Sequence, residues 1–209
     1  MGGDHAPIEV VNGAVEAAQA YGVEIVLVGQ QAVIEPLLQP FKKLDSLVSI
    51  KDAREVIGFG EHPAQAVRAK PDSSIMVGMR LLRGKQAAAF VSAGNTGALL
   101  CAAQLVLGKI HGIQRPALGA LVKTQSRPVL LLDIGANADC RPYYLVQFAY
   151  MGSIYMNRVW GVTNPRIGLL SNGEEEIKGN LLIRSTHQLL KEAKLNFVEV
   201  GTSSEELRS

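Results

Sequence analysis

The chain has few cysteines and almost no excess of charge of either sign. Its two cysteines, Cys101 and Cys140, lie in no CxxC or Cys/His cluster with metal-ligand spacing. This scarcity excludes a disulfide scaffold and favours a reducing, cytoplasmic compartment. With 21 Lys and Arg against 19 Asp and Glu, charge alone gives no argument for nucleic-acid binding, and we expect no nucleic-acid partner.

Long apolar runs are also missing from the sequence. No segment approaches the roughly 18 consecutive apolar residues of a membrane span, and the start lacks the basic and apolar regions of a secretory signal. We therefore expect a chain that neither spans a membrane nor is exported. With 47% hydrophobic and 19% charged residues in 209, the composition is that of a soluble globular protein and excludes a disordered or collagen-like chain.

What the sequence does contain is an alternation of short apolar runs with longer segments of helical spacing. This alternation predicts an α/β protein with a largely parallel sheet and helices on both faces. The predicted strands, which read as buried on both faces, are residues 24–29, 87–94, 116–122, 128–135 and 166–173.

Two segments have the clearest helical pattern. Residues 97–108 are apolar almost all round, which predicts a helix packed inside the protein. Residues 142–159 begin at a proline and precede Gly161, both typical of helix ends. The predicted buried face of that second helix holds Leu145, Phe148, Ala149, Gly152, Tyr155 and Val159. Between residues 36 and 85 four prolines predict only short helices, in a subdomain or flap.

Three polar turns each follow a predicted strand and precede a helix, so they should lie at the carboxyl edge of the sheet, where ligands bind. The first is SAGNTG, residues 92–97. Its glycines allow a ligand to approach the backbone, and Asn95 or Thr96 can cap the helix while free N–H groups face a phosphate-sized anion. An ordinary capped turn explains the motif equally well. Neither a dinucleotide fingerprint nor a P-loop is present, which weakens the case for nucleotide binding.

The second turn is DIGANADC, residues 133–140. Asp133 ends an apolar strand, where a carboxylate either contacts substrate or accepts backbone N–H bonds that shape the turn. Asn137 and Asp139 offer polar contacts near the next helix. Cys140 lies near a helix start that could lower its pKa and make it a nucleophile, although a packed, inert thiol is the commoner case.

The third turn is SNGEEEIKGN, residues 171–180. Its glutamates suit a helix N-terminus, but Lys178 does not, and a lysine held among carboxylates can donate to phosphate or to an oxyanion. A solvated helix start is the alternative. MGGDHAP, residues 1–7, is a fourth segment that could join the site. The four histidines have no mutual spacing that suggests a metal or a triad, and His187 is expected on a helix surface.

Several long motifs go beyond these general patterns. MGGDHAP, VSAGNTGALL, GIQRPALGAL, LLDIGANADCRP, LVQFAYMGSIY and NPRIGLLSNGEEEIKGN occur in one order between residues 1 and 180. Together they resemble the bacterial acyl-ACP:phosphate acyltransferase family (the PlsX type). The resemblance covers residues 1–198 as a partial α/β domain and leaves residues 199–209 as a divergent polar tail.

The resemblance implies transfer of a long-chain acyl group from acyl carrier protein to inorganic phosphate, giving acyl phosphate for phospholipid synthesis. It further implies a fold like that of isocitrate and isopropylmalate dehydrogenases, a homodimer, no metal or cofactor, and peripheral association with the inner face of the cell membrane. Lys178 would be catalytic, orienting phosphate or stabilising the oxyanion. The substrate-binding residues would be Asp4, His5, Asn95, Thr96, Gly97, Asn137, Asp139, Glu175 and Asn180.

The sequence departs from the family pattern at three places. Family members have a strand before the MGGD motif, and about a third of their length follows the point where this chain ends. SNG at residues 171–173 replaces the usual Asn-Ile-Gly. Two alternatives therefore stay open at this stage. One is a truncated, non-catalytic chain that binds acyl carrier protein or a dimer partner. The other is a decarboxylating dehydrogenase of the same fold, although no cluster of metal-binding aspartates supports it.

Overall fold

Helices and short strands both occur along the chain, as the α/β prediction requires, but they do not alternate throughout: three helices follow one another between residues 63 and 106, and two strands between residues 119 and 132. The computed structural model describes residues 2–44, 46–124, 128–137, 139–170 and 181–198. The chain divides into two compact units, residues 1–108 and 109–209. The predicted polar tail, residues 199–209, lies outside the described residues, so that prediction is untested.

The first unit contains two strands, five α-helices and a 3-10 helix among its described residues. In chain order they are α1 (Ile8–Tyr21), β1 (Ile25–Gly29), α2 (Gln31–Leu38), the 3-10 helix (Gln39–Leu44), β2 (Val48–Asp52), α3 (Pro63–Ala69), α4 (Ser74–Arg83) and α5 (Thr96–Val106).

The two strands of the first unit pair in parallel, from Ile25 opposite Val48 to Gly29 opposite Asp52. The strand predicted at residues 24–29 is thus confirmed, whereas β2 was missed inside the proline-broken region. Alternate residues of β2 face inward, and Val48 packs with Val11, Ala18, Leu27 and Ile34 of the surrounding elements. Such alternation, with Ser49 and Lys51 exposed, is typical of a strand with one solvated face.

A second core of this unit lies among α3, α4 and α5. The predicted helix at residues 97–108 is confirmed as α5, but it is not buried all round: Ala98 and Ala102 are fully buried, whereas 58% of Leu105 is exposed. The strand predicted at residues 87–94 is wrong, since this segment forms no helix or strand. Phe90 instead packs over Gly78 of α4, where a β-carbon would overlap its ring.

The second unit contains β3 (Gly119–Val122), β4 (Val129–Leu132), α6 (Pro142–Trp160) and α7 (Leu181–Glu192) among its described residues. Both predicted strands are present, but they pair antiparallel, with Gly119 opposite Leu132. A parallel crossover needs a dozen or more residues, and only residues 123–128 connect these strands. In the strand predicted at 166–173, Ile167 forms an isolated parallel bridge with Phe197, and residues 171–173 lie outside the described residues, so the prediction is tested only up to residue 170.

The helix predicted at residues 142–159 is confirmed as α6, from Pro142 in its first turn to a left-handed Gly161 at its end. Phe148 is buried as predicted, but Tyr155 and Val159 are exposed. Gln147, which was not predicted on the buried face, is buried. α6 packs against α7, around a core of Val146, Leu169 and Leu190. The prediction that His187 lies on a helix surface is wrong, because it is 9% exposed and contacts the Phe197 ring edge-on.

Within the residues described, no helix is both long enough and apolar enough to cross a membrane.

Candidate functional site

The start of α5 is a capped turn, as the SAGNTG motif predicts. Asn95 is the cap: its side-chain oxygen accepts a hydrogen bond from Ala98 N at 3.0 Å. The first N–H groups of a helix have no partner inside the helix. Among the described residues, those of Thr96 and Gly97 form no hydrogen bond. Two donors at the positive end of a helix dipole are therefore available to an anion.

Gly2 and Gly3 of the MGGDHAP motif lie against this turn. A β-carbon on Gly2 would lie 2.9 Å from Gly94 Cα, and one on Gly3 would lie 3.2 Å from Ala93 Cβ. Only glycines at both Gly2 and Gly94 allow the two backbones to approach this closely. Asp4 and His5 follow directly and are exposed.

A loop that the sequence analysis missed holds the other side of the Asn95 side chain. The Asn95 amide Nδ2 donates to Gly58 O at 3.1 Å. Lys70 Nζ donates to Glu61 Oε1 at 2.7 Å, and Gly58 N donates to the same oxygen at 2.6 Å. The Lys70 hydrogen bond, followed by that from Gly58, lowers the pKa of Glu61. The glycine-containing sequence GFGEHP, residues 58–63, was the available signal for this loop.

Gly97 has a structural reason to be glycine. A β-carbon at this position would lie 2.7 Å from Pro63 Cγ at the start of α3. The close packing of α3 on α5 therefore requires Gly97. The absence of a side chain there is accounted for without a ligand.

In the second unit, Asp133 organises the turn that follows β4. Its backbone is left-handed, with φ +65°, a conformation that aspartate tolerates better than most residues. Its Oδ1 accepts hydrogen bonds from Ala136 N and Asn137 Nδ2, both at 3.1 Å. Of the two interpretations left open by the sequence, the geometry supports the one in which Asp133 shapes the turn.

Of the two interpretations of Cys140 that the sequence left open, the geometry supports the packed, inert thiol rather than the activated nucleophile. Burial, then a hydrogen bond from the thiol to Asp133 Oδ2 at 3.3 Å, and then the charge of Asp133 raise the pKa of Cys140 to about 11. The positive charge of Arg115 opposes this rise but does not cancel it. At neutral pH the side chain is therefore a thiol rather than a nucleophilic thiolate.

Two amide side chains attach the segment at residues 112–116 to the rest of the unit. Gln147 Nε2 donates to Gly112 O at 2.7 Å, and Gln147 Oε1 accepts from Gln114 N at 2.9 Å. Asn137 Nδ2 donates to Pro116 O at 2.9 Å. The buried face predicted for α6 did not include Gln147, so this attachment was missed. Its signal was a glutamine flanked by the apolar residues Val146 and Phe148.

The predicted site residues fall into three groups. The first unit brings Asp4 and His5 into the segment beside the turn that contains Asn95, Thr96 and Gly97. In the second unit, Asn137 contacts Asp133, and Asp139 is exposed. The third group, Lys178, Glu175 and Asn180, lies outside the described residues, so its place in the site stays a prediction.

The described residues contain no grouping of three or more His, Cys, Asp or Glu side chains that could hold a metal ion.

Comparison with known proteins identifies the family. The family model described as "Fatty acid synthesis protein" matches residues 1–206. The chain belongs to this family. It is 50% identical to phosphate acyltransferases of Dehalococcoides mccartyi over 199 residues and Dictyoglomus turgidum over 200 residues. These alignments cover 94% and 95% of this chain, but 57% and 60% of the relatives. The resemblance inferred from the motifs is confirmed, and the chain spans under two thirds of the length of these relatives.

A solved structure is similar in fold. The EutD phosphotransacetylase from Staphylococcus aureus matches with a TM-score of 0.62 and 16% sequence identity, covering 92% of this chain and 64% of that one. At this level of identity the likeness concerns the fold alone, and it agrees with the α/β class.

Proposed function

We propose that the chain is part of a phosphate acyltransferase that moves a long-chain acyl group from acyl carrier protein to inorganic phosphate. The observation that carries this proposal is 50% identity to named phosphate acyltransferases over 94% of the chain. The product, acyl phosphate, would serve phospholipid synthesis.

The proposed chemistry requires positioning and charge stabilisation. A phosphate oxygen attacks the thioester carbonyl carbon and forms a tetrahedral oxyanion. Collapse of this intermediate breaks the C–S bond, and the carrier leaves as its thiolate, which takes up a proton. No electrons are transferred, so the reaction needs no redox cofactor, and correct placement of phosphate lowers the barrier.

The start of α5 is the part of the described structure best suited to phosphate. The N–H groups of Thr96 and Gly97 are available, and the Thr96 side chain is exposed beside them. Asn95 holds this turn in place through Ala98 and Gly58. In the proposal Asn95, Thr96 and Gly97 bind phosphate, with Asp4 and His5 at the edge of the pocket.

The remaining roles rest on the family resemblance. Lys178 would orient phosphate or stabilise the oxyanion, while Asn137, Asp139, Glu175 and Asn180 would shape the pocket. The complete enzyme would have the largely parallel sheet of the isocitrate dehydrogenase fold and act as a cytoplasmic homodimer. It would associate peripherally with the inner face of the membrane.

A product assay tests the activity. The 209-residue chain and a version extended at both ends to the length of its relatives are each incubated with acyl carrier protein loaded with a long-chain acyl group and with phosphate. Acyl phosphate made by the extended protein supports the proposal, and its absence contradicts it. Product from the shorter chain would exclude the alternative of a non-catalytic binding chain.

Replacement of Lys178 tests the catalytic assignment. Lys178→Ala should lower kcat by about 10²- to 10³-fold, the usual effect of losing one group that stabilises an oxyanion, with an unchanged circular dichroism spectrum. Lys51→Ala, at an exposed lysine in β2, is the control and should keep full activity. Undiminished turnover in Lys178→Ala would show that this lysine is not catalytic.

A further inference from the structure

The segment at residues 112–116 is irregular, yet its backbone is held on both sides of a single arginine. Gln114 N, immediately before Arg115, donates to Gln147 Oε1 at 2.9 Å. Pro116 O, immediately after it, accepts from Asn137 Nδ2 at 2.9 Å. In addition, the proline that follows restricts Arg115 to extended backbone conformations. The backbone of Arg115 is therefore fixed more firmly than that of a residue in an ordinary surface loop.

The Gln147 side chain contributes most to this arrangement. It is 6% exposed, and a buried amide is costly unless both its donor and its acceptor are hydrogen-bonded. Both bond to the 112–116 segment, at Gly112 O and Gln114 N. An apolar side chain would fill the same space but would not order the loop. The buried amide of Gln147 therefore serves to hold the 112–116 segment in position.

The Arg115 side chain is free to bind an anion. Arg115 is exposed, and the salt bridges of the described residues do not include it. Its positive charge still acts on the Cys140 thiol, which places it within electrostatic range of the turn containing Asp133 and Asn137. A guanidinium presents a planar fork of N–H donors that matches the oxygens of a phosphate group.

We infer that Arg115 binds a phosphate group of a substrate, and that Gln147 and Asn137 are positioning residues that hold it in place. The inference rests on the proposed acyl transfer, in which two substrates carry such a group. One is inorganic phosphate, and the other is the acyl carrier, whose pantetheine arm is attached through a phosphodiester.

Steady-state kinetics of the chain, with each substrate varied in turn, test the role of Arg115. Arg115→Gln should raise the KM for one of the two substrates by about 10- to 100-fold, the usual effect of losing a charged hydrogen-bonding partner. The KM of Arg115→Lys for that substrate should lie between those of Arg115→Gln and wild type, because lysine keeps the positive charge but lacks the planar set of N–H donors. Arg158→Gln, at an exposed arginine on α6, is the matched control.

The substrate whose KM rises identifies the source of the phosphate group. Both KM values within twofold of wild type would overturn the inference. If the 209-residue wild-type chain forms no acyl phosphate, the extended protein decides the proposed function, and the inference is tested separately by binding. Calorimetric titration with inorganic phosphate and with 4′-phosphopantetheine then decides it: binding by wild type that Arg115→Gln abolishes supports the inference, and equal or absent binding overturns it.

The positioning role of Gln147 has its own readout. Gln147→Met keeps the size of the side chain but loses both hydrogen bonds, so hydrogen exchange at the Gln114 amide should accelerate and the same KM should rise as in Arg115→Gln. Gln147→Glu keeps the acceptor for Gln114 N, so hydrogen exchange at the Gln114 amide should be slower in this variant than in Gln147→Met. A folded variant of either kind with faster exchange at Gln114 but unchanged KM values would show that Gln147 has a structural role alone.

Discussion

The contact between the Cys140 thiol and Asp133 determines what this side chain can do. A partly buried thiol beside a carboxylate resists ionisation, which raises its pKa from an ordinary value of 9.0 to about 11. A covalent acyl-cysteine would require the thiolate, so the geometry favours direct attack by phosphate in the proposed reaction. We predict that Cys140→Ser keeps acyl phosphate formation within a few-fold of wild type. Complete loss of activity in a folded variant would point to a covalent intermediate.

The raised pKa also predicts slow alkylation of Cys140. In a Cys101→Ser background, where Cys140 is the sole thiol, iodoacetamide at pH 8 should react about 100-fold more slowly with native than with urea-unfolded protein, because the native thiolate fraction is lower. Because the pKa of Cys140 is higher in the folded protein, the protonated thiol stabilises the folded state. This contribution to the free energy of unfolding is complete below about pH 9 and is lost as the pH rises through about 11. Equal alkylation rates in both states would contradict this assignment.

At the scale of elements, the packing of α3 on α5 depends on the missing side chain of Gly97. Gly97→Ala places a methyl group 2.7 Å from Pro63 Cγ and should lower the free energy of unfolding by about 1–3 kcal/mol. Gly13→Ala is the matched control, because Gly13 lies in α1 with no atom within 4 Å of the added carbon. This control should gain about 0.5–1 kcal/mol. Urea unfolding measures the free energy of unfolding of both variants. A value for Gly97→Ala equal to that of wild type would show that Pro63 moves aside easily.

The elements also show which features the sequence could predict. Local signals were sufficient for α6, whose ends are marked by Pro142 and Gly161, and for the Asn95 cap. Features that depend on a distant partner were missed. The loop at residues 58–61 contributes to the site by accepting a hydrogen bond from Asn95, which lies far away in sequence. Gln147 can be buried only because the backbone of residues 112–116 supplies its hydrogen-bond partners. The strand at 87–94 failed for the same reason, since an apolar run cannot show whether another strand lies next to it.

At the scale of the whole molecule, each unit has a hydrophobic core of its own. Leu190 of α7 is 2% exposed in the core of the second unit, so Leu190→Ala should cost about 2–5 kcal/mol. Leu189→Ala, at a neighbour that is 40% exposed, should change the free energy of unfolding by less than about 0.5 kcal/mol. Hydrogen exchange should accelerate in α6 and α7 of Leu190→Ala while α1 and β1 keep their wild-type rates. Equal acceleration in all four elements would show that the two units unfold together.

The antiparallel pairing of β3 and β4 has a consequence for how the chain folds. Because only residues 123–128 separate the two strands, their contact closes a short loop at small entropic cost, and hairpins of this kind form in about 1–10 μs. The parallel pair of β1 and β2 must first bring together strands separated by α2 and the 3-10 helix. We therefore expect the hairpin to be among the earliest native structure, formed well before the sheet of the first unit.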